Sequence, residues 1–222
     1  IRRLVLAVAD GADAVGVDAG PGQRLAGGQR TAFTERAPGL KDRYDEVLGV
    51  LPFEPAAMAR LGGPPTTYVG HPALAGFPFR PRLPEAGPLL LLPGSRSGEI
   101  RRTLPMMQAV AERLHGHPRV TSLVLPTPAS RAEAMRAAVA TWSAPVEIVS
   151  TETAKREAFS TAVAAAAVSG TVTLELALAG VPMIATYVGD RVQAERFLKY
   201  KVKFVVLPNI VLDRLVVPEL LF

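Results

Sequence analysis

From residue 88 onward the apolar residues fall into short unbroken runs separated by longer stretches with helical spacing. Pro88-Leu89-Leu90-Leu91-Leu92 is a continuous apolar run, the pattern of a strand buried on both faces, and Pro93-Gly94-Ser95-Arg96 is the turn after it. Ile100, Leu104, Met107, Val110, Ala111 and Leu114 then recur at three- and four-residue intervals, predicting a helix over 99–114. The alternation continues with strands at 121–125, 146–149, 164–168, 182–188 and 203–207. Helices are predicted at 130–141, 155–162, from Thr171 to Gly180, and at 191–200. A glycine such as Gly180 is a common helix stop. Strands that alternate with helices and are apolar throughout imply a parallel sheet covered on both sides.

The first 70 residues are less regular. Val5–Ala9, Ala14–Asp18 and Glu46–Leu51 have the look of strand cores, while the stretch holding Gly20, Gly22, Gly27 and Gly28 offers little to pack. Pro78, Pro81, Pro84 and Pro88 break the pattern between the halves and mark a linker. The expected division is 1–77 and 78–222, each part a Rossmann-like α/β domain, the first incomplete. The abrupt start at Ile1-Arg2-Arg3 adds to the expectation of a truncated chain.

Composition narrows the classes. Apolar residues make up 49% and charged residues 20% of the 222, enough for a buried core and too few charges for a disordered tail. The absence of cysteine excludes a disulfide framework, a thiolate metal site and a cysteine nucleophile, and three histidines leave little for a metal site. The uncharged stretch from Ser160 stops at Glu175, short of the ~20 apolar residues of a spanning helix. Asp10 and Asp13 interrupt the first apolar run, unlike a signal peptide.

The net charge of +5 lies wholly after residue 60, because residues 1–60 hold eight basic and eight acidic side chains. Its densest part is Arg191, Arg196, Lys199, Lys201 and Lys203, facing only Asp190 and Glu195. Such a patch suits an anionic surface or phosphate, and equally a solvated helix face. With aromatics at only 6% of the chain, stacking platforms are few and nucleic acid is disfavoured as a partner.

In an open parallel sheet, ligands bind beyond the carboxyl ends of the strands. Two such places stand out. In Leu92-Pro93-Gly94-Ser95-Arg96-Ser97-Gly98-Glu99, Gly94 admits close backbone approach, Ser95 offers a hydroxyl, and Arg96 is a forked donor matched to phosphate. The alternative is an ordinary strand-to-helix turn. In Val168-Ser169-Gly170-Thr171, a strand end meets a helix start whose free N–H groups favour an anion. Glu175, the lone charge of that helix, suits the two hydroxyls of a ribose or a capping role at the helix start. His71, between Gly70 and Pro72, lines a cleft or serves the local structure. Asn209 in Leu207-Pro208-Asn209 binds a ligand or makes a turn.

Taken together and in order, several motifs resemble the lipid-A-disaccharide synthase family, glycosyltransferases of two Rossmann-type domains (the GT-B architecture). The matching pieces are Leu51-Pro52-Phe53-Glu54, Val69-Gly70-His71-Pro72, Leu92-Pro93-Gly94-Ser95-Arg96, Ser169-Gly170-Thr171 with Leu174-Glu175, Pro182-Met183, Leu207-Pro208-Asn209 and Pro218-Glu219-Leu220-Leu221. The resemblance implies an inverting, metal- and cofactor-free transfer of diacylglucosamine from UDP-diacylglucosamine to diacylglucosamine 1-phosphate, with release of UDP. It also implies a cytoplasmic enzyme held peripherally on the anionic inner membrane of a Gram-negative bacterium, with a homodimer among the assemblies open to it. Gly94, Ser95, Arg96, Ser169, Gly170, Thr171, Glu175 and Asn209 would then form the UDP side. Arg96 would stabilise leaving-group charge, and Asp18, in Val17-Asp18-Ala19, would be the general base.

The chain departs from the family pattern at Gly20-Pro21-Gly22, where the family continues Pro-Asp-Phe. Thr31-Ala32-Phe33 stands in place of an aromatic-rich stretch. Two alternatives therefore accompany the enzyme reading: a truncated module that binds a sugar nucleotide without turnover, and a GT-B enzyme acting on UDP-N-acetylglucosamine.

Overall fold

The computed structural model describes residues 4–7, 37–77, 80–189 and 203–221. The chain divides into two compact units, Ile1–Leu74 with Gly189–Val216, and Ala75–Val188 with Val217–Phe222. Relative to the expected 1–77 and 78–222 division, the segment 189–216 groups with the first unit.

In the first unit, β1 (Leu4–Ala7), β2 (Glu46–Gly49) and β3 (Thr66–Tyr68) form a three-stranded parallel sheet in the order β1-β2-β3. Short helices α1 (Ala37–Leu40) and α2 (Glu54–Arg60) accompany it. Ala37, Val47, Met58 and Leu61 form its small core. The turn from β2 to α2 is built by Glu54, whose Oε2 accepts the Leu51 N–H at 2.7 Å while its side chain is buried. Burial pushes that carboxyl above its ordinary pKa, against the opposing pull of the Leu51 and Val50 backbone donors. The predicted strand at 14–18 lies outside the described residues.

The second unit holds six parallel strands in the order β6-β5-β4-β7-β8-β9: β4 (Gly87–Leu92), β5 (Val120–Pro126), β6 (Val146–Val149), β7 (Ala164–Val168), β8 (Met183–Tyr187) and β9 (Glu219–Leu221). Counted within the unit this is 3-2-1-4-5-6, the Rossmann order. Its helices are α3 (Ser97–Leu114), α4 (Ala132–Val139), α5 (Glu152–Thr161) and α6 (Thr171–Leu178). The expectation of an α/β, GT-B-like chain with parallel sheets is met in each unit taken by itself.

The unbroken apolar strands are explained by alternation between two covered faces. Leu89, Leu91 and Val168 pack with Ile100, Met107 and Ala111 of α3 and Met135 and Val139 of α4. Leu90, Leu92, Ala165 and Ala167 pack on the other side with Ala158 and Phe159 of α5 and Leu176 of α6. With successive side chains pointing to opposite faces, a strand covered on both sides has no place for a polar residue.

One predicted element is overturned. Lys203–Leu207 was expected as a strand, but residues 203–205 are irregular and Leu207–Leu212 forms helix α7 in the first unit. Pro208 explains the difference: it lacks a ladder donor, which disfavours a strand, and its fixed φ suits the first turn of a helix. Of the basic stretch 191–203, Lys203 alone is described, and its ammonium pairs with Asp213 at 2.9 Å. The predicted helix at 191–200 lies outside the described residues. Among the described residues no helix is long and apolar enough to cross a membrane.

Candidate functional site

The strand order reverses direction between β4 and β7. From β4 the chain moves outward through β5 to β6, and from β7 it moves the other way through β8 to β9. The two central strands are in register, with Leu92 opposite Ala167, so their carboxyl ends and the loops that follow lie side by side. Those loops are the two singled out from sequence, 93–96 and 169–170, each feeding a helix N-terminus. The helices α3 and α6 pack on opposite faces of the sheet, the arrangement that in such folds leaves a crevice at the switch point.

In the first loop Gly94 has φ of +101°, and a Cβ on it would lie 2.7 Å from Glu99 Oε2. The backbone conformation calls for glycine there, and a side chain would also make the Glu99 carboxylate shift. Arg96 is the residue before α3, exposed at its guanidinium, with Nη1 3.4 Å from Glu99 Oε1. Glu99 also accepts the Arg96 N–H at 3.4 Å, so one carboxylate steadies both ends of the residue. Both bonds are long, and the guanidinium keeps donors for a further acceptor. Thr103 anchors the loop from below, its buried hydroxyl donating to Pro93 O at 2.6 Å with Glu99 O at 2.9 Å. Ser95 is exposed at the loop tip.

In the second loop Ser169 is buried and its N–H donates to Thr186 O of β8 at 2.8 Å. Gly170 is extended, and a Cβ on it would meet nothing within 4 Å among the described residues. Neither its backbone nor its neighbours demand glycine. Gly170, the residue before α6, has no side chain to cap the helix, and among the described residues Glu175 makes no hydrogen bond back to the helix start. Thr173 donates its hydroxyl to Gly170 O at 2.7 Å and tightens that turn.

Glu175 instead makes an ion pair that the sequence alone did not suggest, with Lys155 Nζ 2.7 Å from its Oε2. Lys155 is twenty residues away in another helix, so only the fold brings the two together. Arg102 was missed for the same reason: from α3 it donates to Val188 O beyond β8 at 2.9 Å. Thr186, at the end of β8, has a buried hydroxyl with no hydrogen-bond partner among the described residues.

The remaining candidates lie in the first unit or outside the described residues. His71 Nδ1 accepts the Ala73 N–H at 3.1 Å, a local turn contact. Asn209 is fully buried and its Oδ1 accepts the Val216 N–H at 2.8 Å, which is the turn-making alternative. Asp18 lies outside the described residues.

A family model described as lipid-A-disaccharide synthetase matches residues 33–222. The chain belongs to the lipid-A-disaccharide synthetase family. Its relatives include the lipid-A-disaccharide synthases of Nitrobacter winogradskyi, 45% identical over 197 residues, and Bradyrhizobium diazoefficiens, 42% identical over 195 residues. Each alignment covers 84% of this chain and 49% and 50% of the two relatives respectively. The relative from Rhodospirillum centenum is 39% identical over 197 residues, again 84% of this chain and 49% of its own length. The chain thus spans about half the length of the curated relatives it matches. Within the lipid-A-disaccharide synthetase family match lie both switch-point loops, α6 with Glu175, and the Glu54 turn.

Proposed function

We propose that the second unit binds the UDP portion of a UDP-sugar donor, and that the chain serves glycosyl transfer in lipid A synthesis. The supporting observation is the pairing of two loops at the switch point, with Gly170 facing space that no described residue fills. There the diphosphate would meet the N-terminus of α6 and the guanidinium of Arg96, while Glu175 accepts the ribose hydroxyls. Negative charge grows on UDP as the glycosidic bond breaks, and fixed donors aimed at that charge lower the barrier.

The acceptor side, assigned to the first unit, would take diacylglucosamine 1-phosphate, with Asp18 receiving the proton of the attacking hydroxyl. The donor would be UDP-diacylglucosamine and the products a lipid A disaccharide 1-phosphate and UDP. The basic stretch 191–203 would face the anionic inner membrane, and self-association into a homodimer is part of the same reading.

Titration calorimetry with UDP tests the donor site. Arg96→Ala and Glu175→Ala are each expected to weaken UDP about 10- to 100-fold, the loss of a charge-assisted hydrogen bond. Gly170→Ala is expected to leave the melting temperature unchanged yet weaken UDP, because the methyl group fills the approach space. Unaltered affinity in all three variants would defeat the assignment. Since the chain spans half of its relatives, a second reading is a module that binds a sugar nucleotide without turnover. Mass-spectrometric detection of disaccharide from the two lipid substrates decides between them, because only the enzyme yields product. Competition by UDP-N-acetylglucosamine equal to that of the acylated donor would point to the unacylated sugar instead.

A further inference from the structure

Lys155 occupies a seat more elaborate than charge balance requires. It lies in α5 one turn before Phe159, which is fully buried, and Phe77 stacks on that ring with centroids 5.0 Å apart. The ammonium sits 5.5 Å from the Phe77 centroid and 5.6 Å from that of Phe159. From there it reaches Glu175 Oε2 at 2.7 Å, with the Lys155 and Glu175 side chains only 24% and 18% exposed. A lysine side chain is flexible, and a freely solvated pair of this kind is worth only ~0–1 kcal/mol. Contact with the stacked pair of rings removes much of that freedom before the charge meets its partner.

The consequence falls on Glu175. A carboxylate on a helix surface rotates about its side-chain bonds, and a hydroxyl pair recognises it only in one orientation. With Oε2 held by a fixed cation, the position of Oε1 and of the remaining lone pairs is set. We infer that Lys155 is a positioning residue: seated on Phe77 and Phe159, it orients Glu175 to accept the vicinal hydroxyls of a nucleoside diphosphate's ribose. This rests on the reading of Glu175 as the ribose acceptor. It adds a residue that touches no ligand and acts through another.

The test compares UDP with 2′,3′-dideoxy-UDP by calorimetry on the 222-residue chain and on Lys155→Met, Lys155→Arg, Glu175→Gln and the Lys155→Met/Glu175→Gln double variant. Lys155→Met is expected to weaken UDP about tenfold and to leave the dideoxy analogue unchanged, while Lys155→Arg restores most of the UDP affinity. In the Glu175→Gln background, Lys155→Met is expected to add no further loss, the mark of two residues acting as one. Binding of the dideoxy analogue also reports that each variant has kept a folded site.

Equal loss for both ligands would overturn the inference, because Lys155 would then meet the diphosphate directly. Additive losses in the double variant, or an unchanged UDP affinity in Lys155→Met, would overturn it as well. If Glu175→Gln itself binds UDP like the parent chain, the ribose reading fails and the role of Lys155 falls with it. If Glu175→Gln loses UDP and Lys155→Met does not, the ribose reading stands and only the role of Lys155 is lost.

Discussion

Gly94 and Gly170 sit in neighbouring loops, yet they answer to different constraints. Gly94 is held at φ +101° with Glu99 pressed against the space a side chain would need. Gly94→Ala is therefore expected to destabilise the chain by about 1–3 kcal/mol, read from urea unfolding, and to weaken UDP binding with it. Gly170 meets neither constraint, so its substitution separates binding from stability. The glycines, Ser95 and Arg96 were legible in the sequence because their chemistry is local to one turn. Lys155, Thr103 and Arg102 were not, because each acts on a partner that the fold supplies. Arg102, for instance, reaches Val188 across 86 positions of sequence.

Among the elements, the ends of α5 and α6 are joined by one side chain. Arg80 donates to Ser160 O at 3.1 Å, to Ala162 O at 2.6 Å and to Gly180 O at 3.4 Å. These carbonyls lie at or beside helix C-termini, where a cation also complements the helix dipole. Partial burial pulls the guanidinium below its ordinary pKa. Arg80→Ala is expected to lower stability by about 1–3 kcal/mol, measured as a shift in the urea midpoint, because the carbonyls lose a charged donor. The helices and central strands of the second unit were predictable, since a period of 3.6 or an unbroken apolar run is written in the order of residues. The error at 203–207 came from weighing Phe204, Val205 and Val206 above Pro208.

At the scale of the whole chain, Glu54 couples the stability of the first unit to pH. Its carboxyl is pushed above the ordinary value by burial, so the folded state holds the proton more tightly than the unfolded chain does. The stability this supplies is complete below the ordinary glutamate pKa and is lost as pH rises through the higher folded value. Raising the pH upward from the ordinary glutamate range is therefore expected to lower the urea midpoint, and Glu54→Gln to flatten that fall. An equal slope in parent and variant would assign the pH dependence to other groups. The sequence placed Glu54 in a motif of the lipid-A-disaccharide synthetase family, and the structure gives it a structural task, closing the turn from β2 to α2.

By itself the sequence determined the fold class, the family and the two loops at the crevice, because patterning and short motifs are properties of neighbouring residues. Only the tertiary structure set β4 beside β7, gave Glu175 to Lys155 rather than to a helix cap, and buried Asn209 in a turn. Those outcomes depend on which distant residues come to share one space, and chain order carries no direct record of that.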